Sequence, residues 1–509
     1  MTRAGTLTWF AQHETRLVWR DWVWLLSGGR RRRGYTVALG LLVFFGFMHV
    51  VVYLTLLRTP VAFPPDKPLL VALGGTLLLY WSLMLSQAME AVTRAFYARG
   101  DLELILSSSA SAERLFAVRT VAMSLSVAGM SLALAAPAIN VLAWLHGARW
   151  LAAYGVVSGM AMAAVAIALM LTIALFRLIG PKQTRLVAQI VAAVMGASFV
   201  IGVQIVAILT IGTMSRIVLF QSEKILSLAP NPGSLWWLPV DAVMGNPLAL
   251  TVVLGCGAIL LAGAVRFCAP RFGELAVAAG SVIASRHAVS QRGPRFRPKS
   301  AGQALRGKEW ALLLRDPWLM SQSLMQLLYL LPPFFLLSRS FYGQGHGAGL
   351  VVPVAIMAAG QLAGGLAWLA ISGEDAPDLI ASAPVSTYRV WLAKAQAVAA
   401  GIGVVFGPLV GLLAIVDPVD AGTAAIGIII ASASATAIQF WFRAQVKRSL
   451  FRRRHVSSRI ATFAEALCSI TWASAGALAT NDFRFAIVPG VMAIAFLIGA
   501  WMLSPKRVC

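Results

Sequence analysis

Apolar runs of about 20 residues recur along the chain from residue 35 to residue 504, with short polar breaks between them. At about 1.5 Å of rise per residue, each run is long enough as a helix to cross a hydrocarbon core of about 30 Å. The pattern predicts about twelve transmembrane helices, near 35–57, 69–92, 120–145, 150–176, 186–213, 246–267, 319–338, 350–371, 393–416, 422–442, 460–480 and 485–504. No break has room for a large soluble domain. The expected class is an all-α polytopic membrane protein. A polar segment and the run Arg30, Arg31, Arg32 and Arg33 precede the first apolar stretch, which has no small-residue cleavage site beside it. That stretch is expected to be a retained helix rather than a signal peptide.

Composition supports the same solvent. Hydrophobic residues make up 59% of the chain and charged residues 12%, whereas about a quarter of a soluble chain is charged. The net charge of +23 raises nucleic acid as a partner, and the placement of the 42 Lys and Arg residues decides against it. With the N-terminus inside, most of them fall in cytoplasmic segments. That asymmetry is the positive-inside rule; it predicts that both termini are cytoplasmic. The partner of the charge is then the lipid bilayer, whose anionic headgroups contribute about 1 kcal/mol per surface Lys or Arg. Cys256, Cys268, Cys468 and Cys509 have no CxxC spacing and the six histidines form no HExxH pattern, so no disulfide framework or zinc site is expected. No GxxxxGK[ST] phosphate loop occurs, and no serine, zinc or paired-carboxylate constellation points to an enzyme.

The polar segments repeat. ETRLVWRD at 14–21 and EWALLLRD at 309–316 share Glu14/Glu309, Leu17/Leu312, Arg20/Arg315 and Asp21/Asp316 at an offset of 295, each ahead of the first span of a half. At an offset of 275, Leu104/Leu379, Ile105/Ile380, Ser107/Ser382, Ser111/Ser386 and Arg114/Arg389 are identical, while Glu103/Asp378 and Arg119/Lys394 keep their charge. TRLVAQ at 184–189 matches SRIATF at 458–463 at an offset of 274. Three matches in one order, at corresponding places, predict two tandem six-helix halves. An even number of spans per half gives the copies parallel orientation, related by an axis along the membrane normal, and their interface is the natural pathway. The expected organisation is a first half at 1–268, a basic cytoplasmic linker at 269–305 with Arg286, Arg292, Arg295, Arg297 and Lys299, and a second half at 306–509.

The stretch before the arginine run has an apolar face of Ala11, Val18, Trp22 and Leu25, and its tryptophans Trp9, Trp19, Trp22 and Trp24 suit the headgroup zone. It reads as a helix lying in the interface plane. Segments 94–119 and 372–394 are too polar to span; they carry Asp101, Glu103 and Glu113, and Glu374, Asp375 and Asp378, out of 19 acidic residues in all. Six acids in two corresponding loops predict a protruding element that docks on a cytoplasmic partner. Segment 214–245, with Pro230, Pro232, Gly233, Trp236 and Trp237, reads as a partly embedded or re-entrant element, and the second half has no equivalent. Ionisable groups within spans are few: Glu90, His49 and Glu465. Glu465 lies about one and a half turns from Arg459, so a partnered or headgroup position is expected rather than a proton carrier. Gln87, Asn140, Gln189, Gln204, Gln326, Gln361 and Gln396 read as interhelical hydrogen-bonding groups, and Gly155, Gly159 and Ala163 as packing devices.

An interfacial E-x-x-L-x-x-R-D segment, an acidic loop after the second span, six spans, and then the same again resembles the permease subunits of bacterial type-2 ATP-binding-cassette (ABC) exporters, here in a fused, double-length form. The resemblance implies a bacterial inner membrane location. It implies elbow helices at Glu14, Arg20 and Asp21 and at Glu309, Arg315 and Asp316. It also implies ATPase-coupling elements at Asp101, Glu103 and Arg114 and at Asp375, Asp378 and Arg389. No cofactor is expected on this chain; ATP and Mg would sit on a separate ABC ATPase subunit, as a dimer. Competing expectations are a secondary active transporter with two parallel halves, which needs an intramembrane ion-coupling group, and a membrane-embedded enzyme, for which Asp66 in the first outer loop is thin support.

Overall fold

The computed structural model describes residues 34–57, 65–97, 111–211, 222–284, 300–315, 348–372, 382–442, 459–480 and 482–504, with isolated residues between 9 and 16, between 328 and 335, and at 380. Among the described residues all regular structure is helical. The helices are α1 Gly34–Leu56, α2 Lys67–Tyr97, α3 Ala112–His146, α4 Ala152–Ile211, the short α5 Glu223–Leu228 and α6 Leu238–Val243, then α7 Pro247–Ala284. They continue as α8 Ala301–Arg315, α9 Ala348–Ser372, α10 Thr387–Val416, α11 Pro418–Phe442, α12 Arg459–Ala479 and α13 Ile487–Leu503.

Eight segments are long and apolar enough to cross a membrane: Lys67–Tyr97, Ala112–His146, Ala148–Gly180, Pro247–Pro270, Val351–Ile371, Thr387–Val416, Pro418–Phe442 and Phe483–Leu503. Each coincides with an expected span. Shorter apolar helices, Phe45–Leu56 and Leu186–Ser198, lie within two more. α12 covers the span expected at 460–480 but is not among the eight. The span expected at 319–338 falls almost wholly outside the described residues, as do most of 98–110 and 373–381. Large apolar side chains such as Leu125, Leu134, Val404, Ile429, Val491 and Trp501 are exposed along these helices, as suits surfaces solvated by lipid tails. The chain is an all-α, polytopic membrane protein.

Local chemistry sets the helix ends. Ser111 caps α3, its hydroxyl accepting from the Arg114 N–H at 3.4 Å, and Gly147, at φ 103°, ends it. α4 breaks at Gly180 (φ 74°) just before Pro181, a residue suited to a first helical turn. Two helices thus meet at this kink, one in each of two expected spans. Asp417 closes α10 and starts α11: its Oδ1 accepts from the N–H groups of Val419 and Asp420 at 2.9 and 3.1 Å.

Two compact units emerge, Met1–Val200 with Ser215–Val289, and Ile201–Met214 with Ser290–Cys509. In the first, α3 packs against α1, α2 and α7, with Met84, Met89, Leu115, Phe116 and Leu169 fully buried among α2, α3 and α4. α4 and α7 approach so closely at Gly159 and Gly257 that a Cβ on Gly257 would overlap the Gly159 carbonyl. Small residues thus bring two backbones together, as their spacing predicts. Within 214–245, Trp237 is buried against Gly74 and donates its indole N–H to the Pro230 carbonyl at 3.3 Å, while Trp236 stays exposed.

In the second unit α9 is central, contacting α8, α10, α11 and α12. Val351, Val352, Ala355, Ile356, Ala359 and Ala363 are fully buried. Ile356 reaches into space left by Gly427 on α11 and Gly476 on α12. α13 lies at the rim against α12.

Candidate functional site

Three helices of the second unit meet at one buried ion pair. Glu309, in the second half of α8, is fully enclosed, and Lys394, in the third turn of α10, is exposed by only 5%. The Lys394 ammonium donates to both Glu309 carboxylate oxygens at 3.0 Å and to the carbonyl of Ala370 near the end of α9. Lys308 adds a second cation at 3.3 Å from the same carboxylate, on the side open to solvent. A pair removed from water is tolerable only when both charges are matched and their remaining bonding positions are filled, and removing one partner strands the other. The junction therefore fixes α8 against the start of α10 and the end of α9, on either side of segment 373–386.

The expected coupling and elbow residues divide between described and undescribed positions. Glu14, Arg20, Asp21, Asp101, Glu103, Asp316, Asp375 and Asp378 lie outside the described residues. Arg315 is the last residue of α8. Arg114 and Arg389 are exposed near the starts of α3 and α10. Lys394 carried only the signal of a charge shared with Arg119; its burial was not expected. Arg119 is likewise buried, at 3%, and each stands eight residues after a serine at its helix's N-cap position, Ser111 or Ser386, of which Ser111 caps with its side chain.

Two further polar groups lie within the bundles. Glu465 on α12 accepts from the side-chain amide of Gln439 on α11 at 2.6 Å. Its carboxylate occupies space opened by Gly364 on α9, where a Cβ would overlap it. The described partner is thus Gln439; the side chain of Arg459 lies outside the described residues. In the first unit, Asn140 on α3 joins His49 on α1 and Tyr154 on α4. Glu90 meets Arg94 at 3.5 Å as a half-exposed surface pair, which contributes little. Among the described residues no group of His, Cys, Asp or Glu could hold a metal ion, and Cys256, Cys268 and Cys468 are free thiols.

No protein family, curated protein or solved structure matches the chain.

Proposed function

We propose that the chain is the membrane-spanning permease of an ATP-driven exporter of the ABC-2 type, built as two parallel six-helix halves in a bacterial inner membrane and driven by a separate ATPase dimer. The observation that supports this best is the Glu309–Lys394–Ala370 junction. It ties a surface helix, α8, to both helices that flank the acidic segment 373–386. A push on that segment would be borne by a braced assembly rather than a loose loop. Closure of the ATPase dimer would then press on both acidic segments and rock one half against the other, opening a route at their interface. The packing of corresponding helices adds support. α2 meets the second stretch of α4 where Gly196 faces Ser86, and α9 meets α12 where Gly360 faces Ser469.

Reversing charge at both loops, by Glu103→Lys with Asp378→Lys, tests the reading. The variant is expected to keep the melting temperature of the parent and to lose its ATPase partner, or the stimulation of ATP hydrolysis that partner shows. Unchanged binding together with unchanged stimulation would remove the docking role.

One observation favours a second reading, a secondary carrier. The Glu465–Gln439 pair supplies an ionisable group inside the bundle, which a carrier needs. Transport that follows a proton gradient and disappears in Glu465→Gln, with no ATPase present, would establish that reading over the first.

A further inference from the structure

Where α9, α11 and α12 come together, the Glu465 carboxyl is held by a neutral partner. Its Oε2 accepts from the Gln439 amide at 2.6 Å, and the group fills the space beside Gly364. The helices packed on α12 bring it no cation. α9 and α13 have no ionisable side chain, and α11 has only Asp420, in its first turn at the opposite end from Gln439. Lys394, which reaches α9 at Ala370, is matched by Glu309. Arg484 lies on the helical turn Phe483–Ala486, beyond the far end of α12. On α12 itself, the Cys468 thiol is turned toward the Ala493 carbonyl at 3.6 Å, and the Arg459 side chain lies outside the described residues. A carboxylate with one amide donor and no cation is costly in such a place.

Ser469 supplies what the neutral acid needs. It stands one turn from Glu465 on the same face of α12, as Gly360 stands one turn from Gly364 on α9. Its hydroxyl lies against Gly360, and the residue is 1% exposed. Among the described residues that hydroxyl has no hydrogen-bond partner. A hydroxyl both accepts and donates, so it serves a protonated carboxyl or an ionised one. The packing is tight, since a Cβ on Gly364 would overlap the carboxyl and one on Gly360 would crowd the Ser469 hydroxyl. A hard metal cation needs about six oxygen ligands around it; a proton needs one oxygen and no added space. The apolar frame does not call for these groups, because the 274 and 275 offsets pair Glu465 and Gln439 with Val191 and Ala164. We propose that Glu465 is a proton-binding site: a neutral acid while α9, α11 and α12 are packed, its O–H on the Ser469 hydroxyl and its carbonyl oxygen on the Gln439 amide, and a carboxylate once that seam opens. The proton passes to water at the nearer helix ends, Phe442 of α11 and Arg459 of α12. The inference rests on the carboxyl that the ion-gradient reading uses, and adds the residue that completes the site and the packed state that holds its proton.

Infrared difference spectroscopy of the purified full chain in mild detergent, with no gradient imposed, tests it. The parent minus Glu465→Gln at neutral pH is expected to contain one protonated-carboxyl C=O band. Ser469→Ala and Gln439→Leu each remove a hydrogen bond from the acid and are expected to move that band to higher frequency without abolishing it. Because the folded parent holds a proton that the unfolded chain gives up, its melting temperature should fall more steeply than that of Glu465→Gln as pH is raised past the loss of the band. A difference spectrum without the band, a band that neither variant moves, or a band that sodium chloride removes at constant pH while choline chloride does not would each overturn the site. The band in a chain whose transport ignores the proton gradient would end the carrier reading and leave the site standing.

Discussion

In the second unit the described side chains that bridge helices include acidic groups, Glu309 with Lys394 and Glu465 with Gln439; in the first, the chain of His49, Asn140 and Tyr154 does the same with imidazole, amide and hydroxyl. The offsets make the contrast specific. Glu465 pairs with Val191 and Gly364 with Met89, while Asn140 pairs with Ile415. Where the second unit leaves room for a carboxylate, the first fills it with a methionine that is fully buried. Common to both units is a cation buried in the third turn of a long helix, Arg119 of α3 or Lys394 of α10. The two units thus have in common a buried cation near a helix start, while the polar groups that bridge helices inside them differ in kind.

The comparison breaks most readily at the ion pair. Lys394→Met leaves the Glu309 carboxylate enclosed without its principal cation and is expected to cost about 3–5 kcal/mol, read as a large fall in melting temperature in detergent. Exchanging the charges, Glu309→Lys with Lys394→Glu, should recover only part of that loss, because a carboxylate at 394 cannot donate to the Ala370 carbonyl and a lysine at 309 would lie beside Lys308. If the single variant were as stable as the parent, the junction would not be what braces α8. Gly364→Ala comes next: its methyl group would collide with the Glu465 carboxylate, for an expected loss of about 1–3 kcal/mol. In a Glu465→Ala background the same change should cost much less, and strict additivity would show that the two positions do not share a space. The smallest effect belongs to the neutral chain. Tyr154→Phe removes one interhelical hydrogen bond, worth about 0.6 kcal/mol on average within a membrane. A loss there equal to that of Lys394→Met would erase the distinction between charged and neutral bridges.

Much of the frame was legible in the sequence because crossing a bilayer demands about 20 apolar residues in a row. α2, α3, α9, α10 and α11 fall where the runs predict, and the Gly180–Pro181 step marks the break within α4. The pairing of polar groups was less legible. Glu309 and Lys394 are 85 residues apart, and each reads locally as a surface charge near a helix end; only the convergence of α8, α9 and α10 encloses them. Glu465 suggested a partner on its own helix because sequence offers only local neighbours, whereas the amide that reaches it comes from α11. Gly364, set within the Gly364–Gly365 pair of α9, was the available signal that something from another helix needs space there. Asn140 and His49 were each recognised as polar groups in apolar spans, but their joining depends on α1 lying against α3.

The central claim is that the energy source is another polypeptide, and purification of the full chain from its membrane in mild detergent tests it most directly. A P-loop ATPase should accompany the chain at about two copies to one and dissociate in the Glu103→Lys, Asp378→Lys variant. A chain that purifies without any ATPase, and whose transport collapses with the proton gradient, would contradict the account.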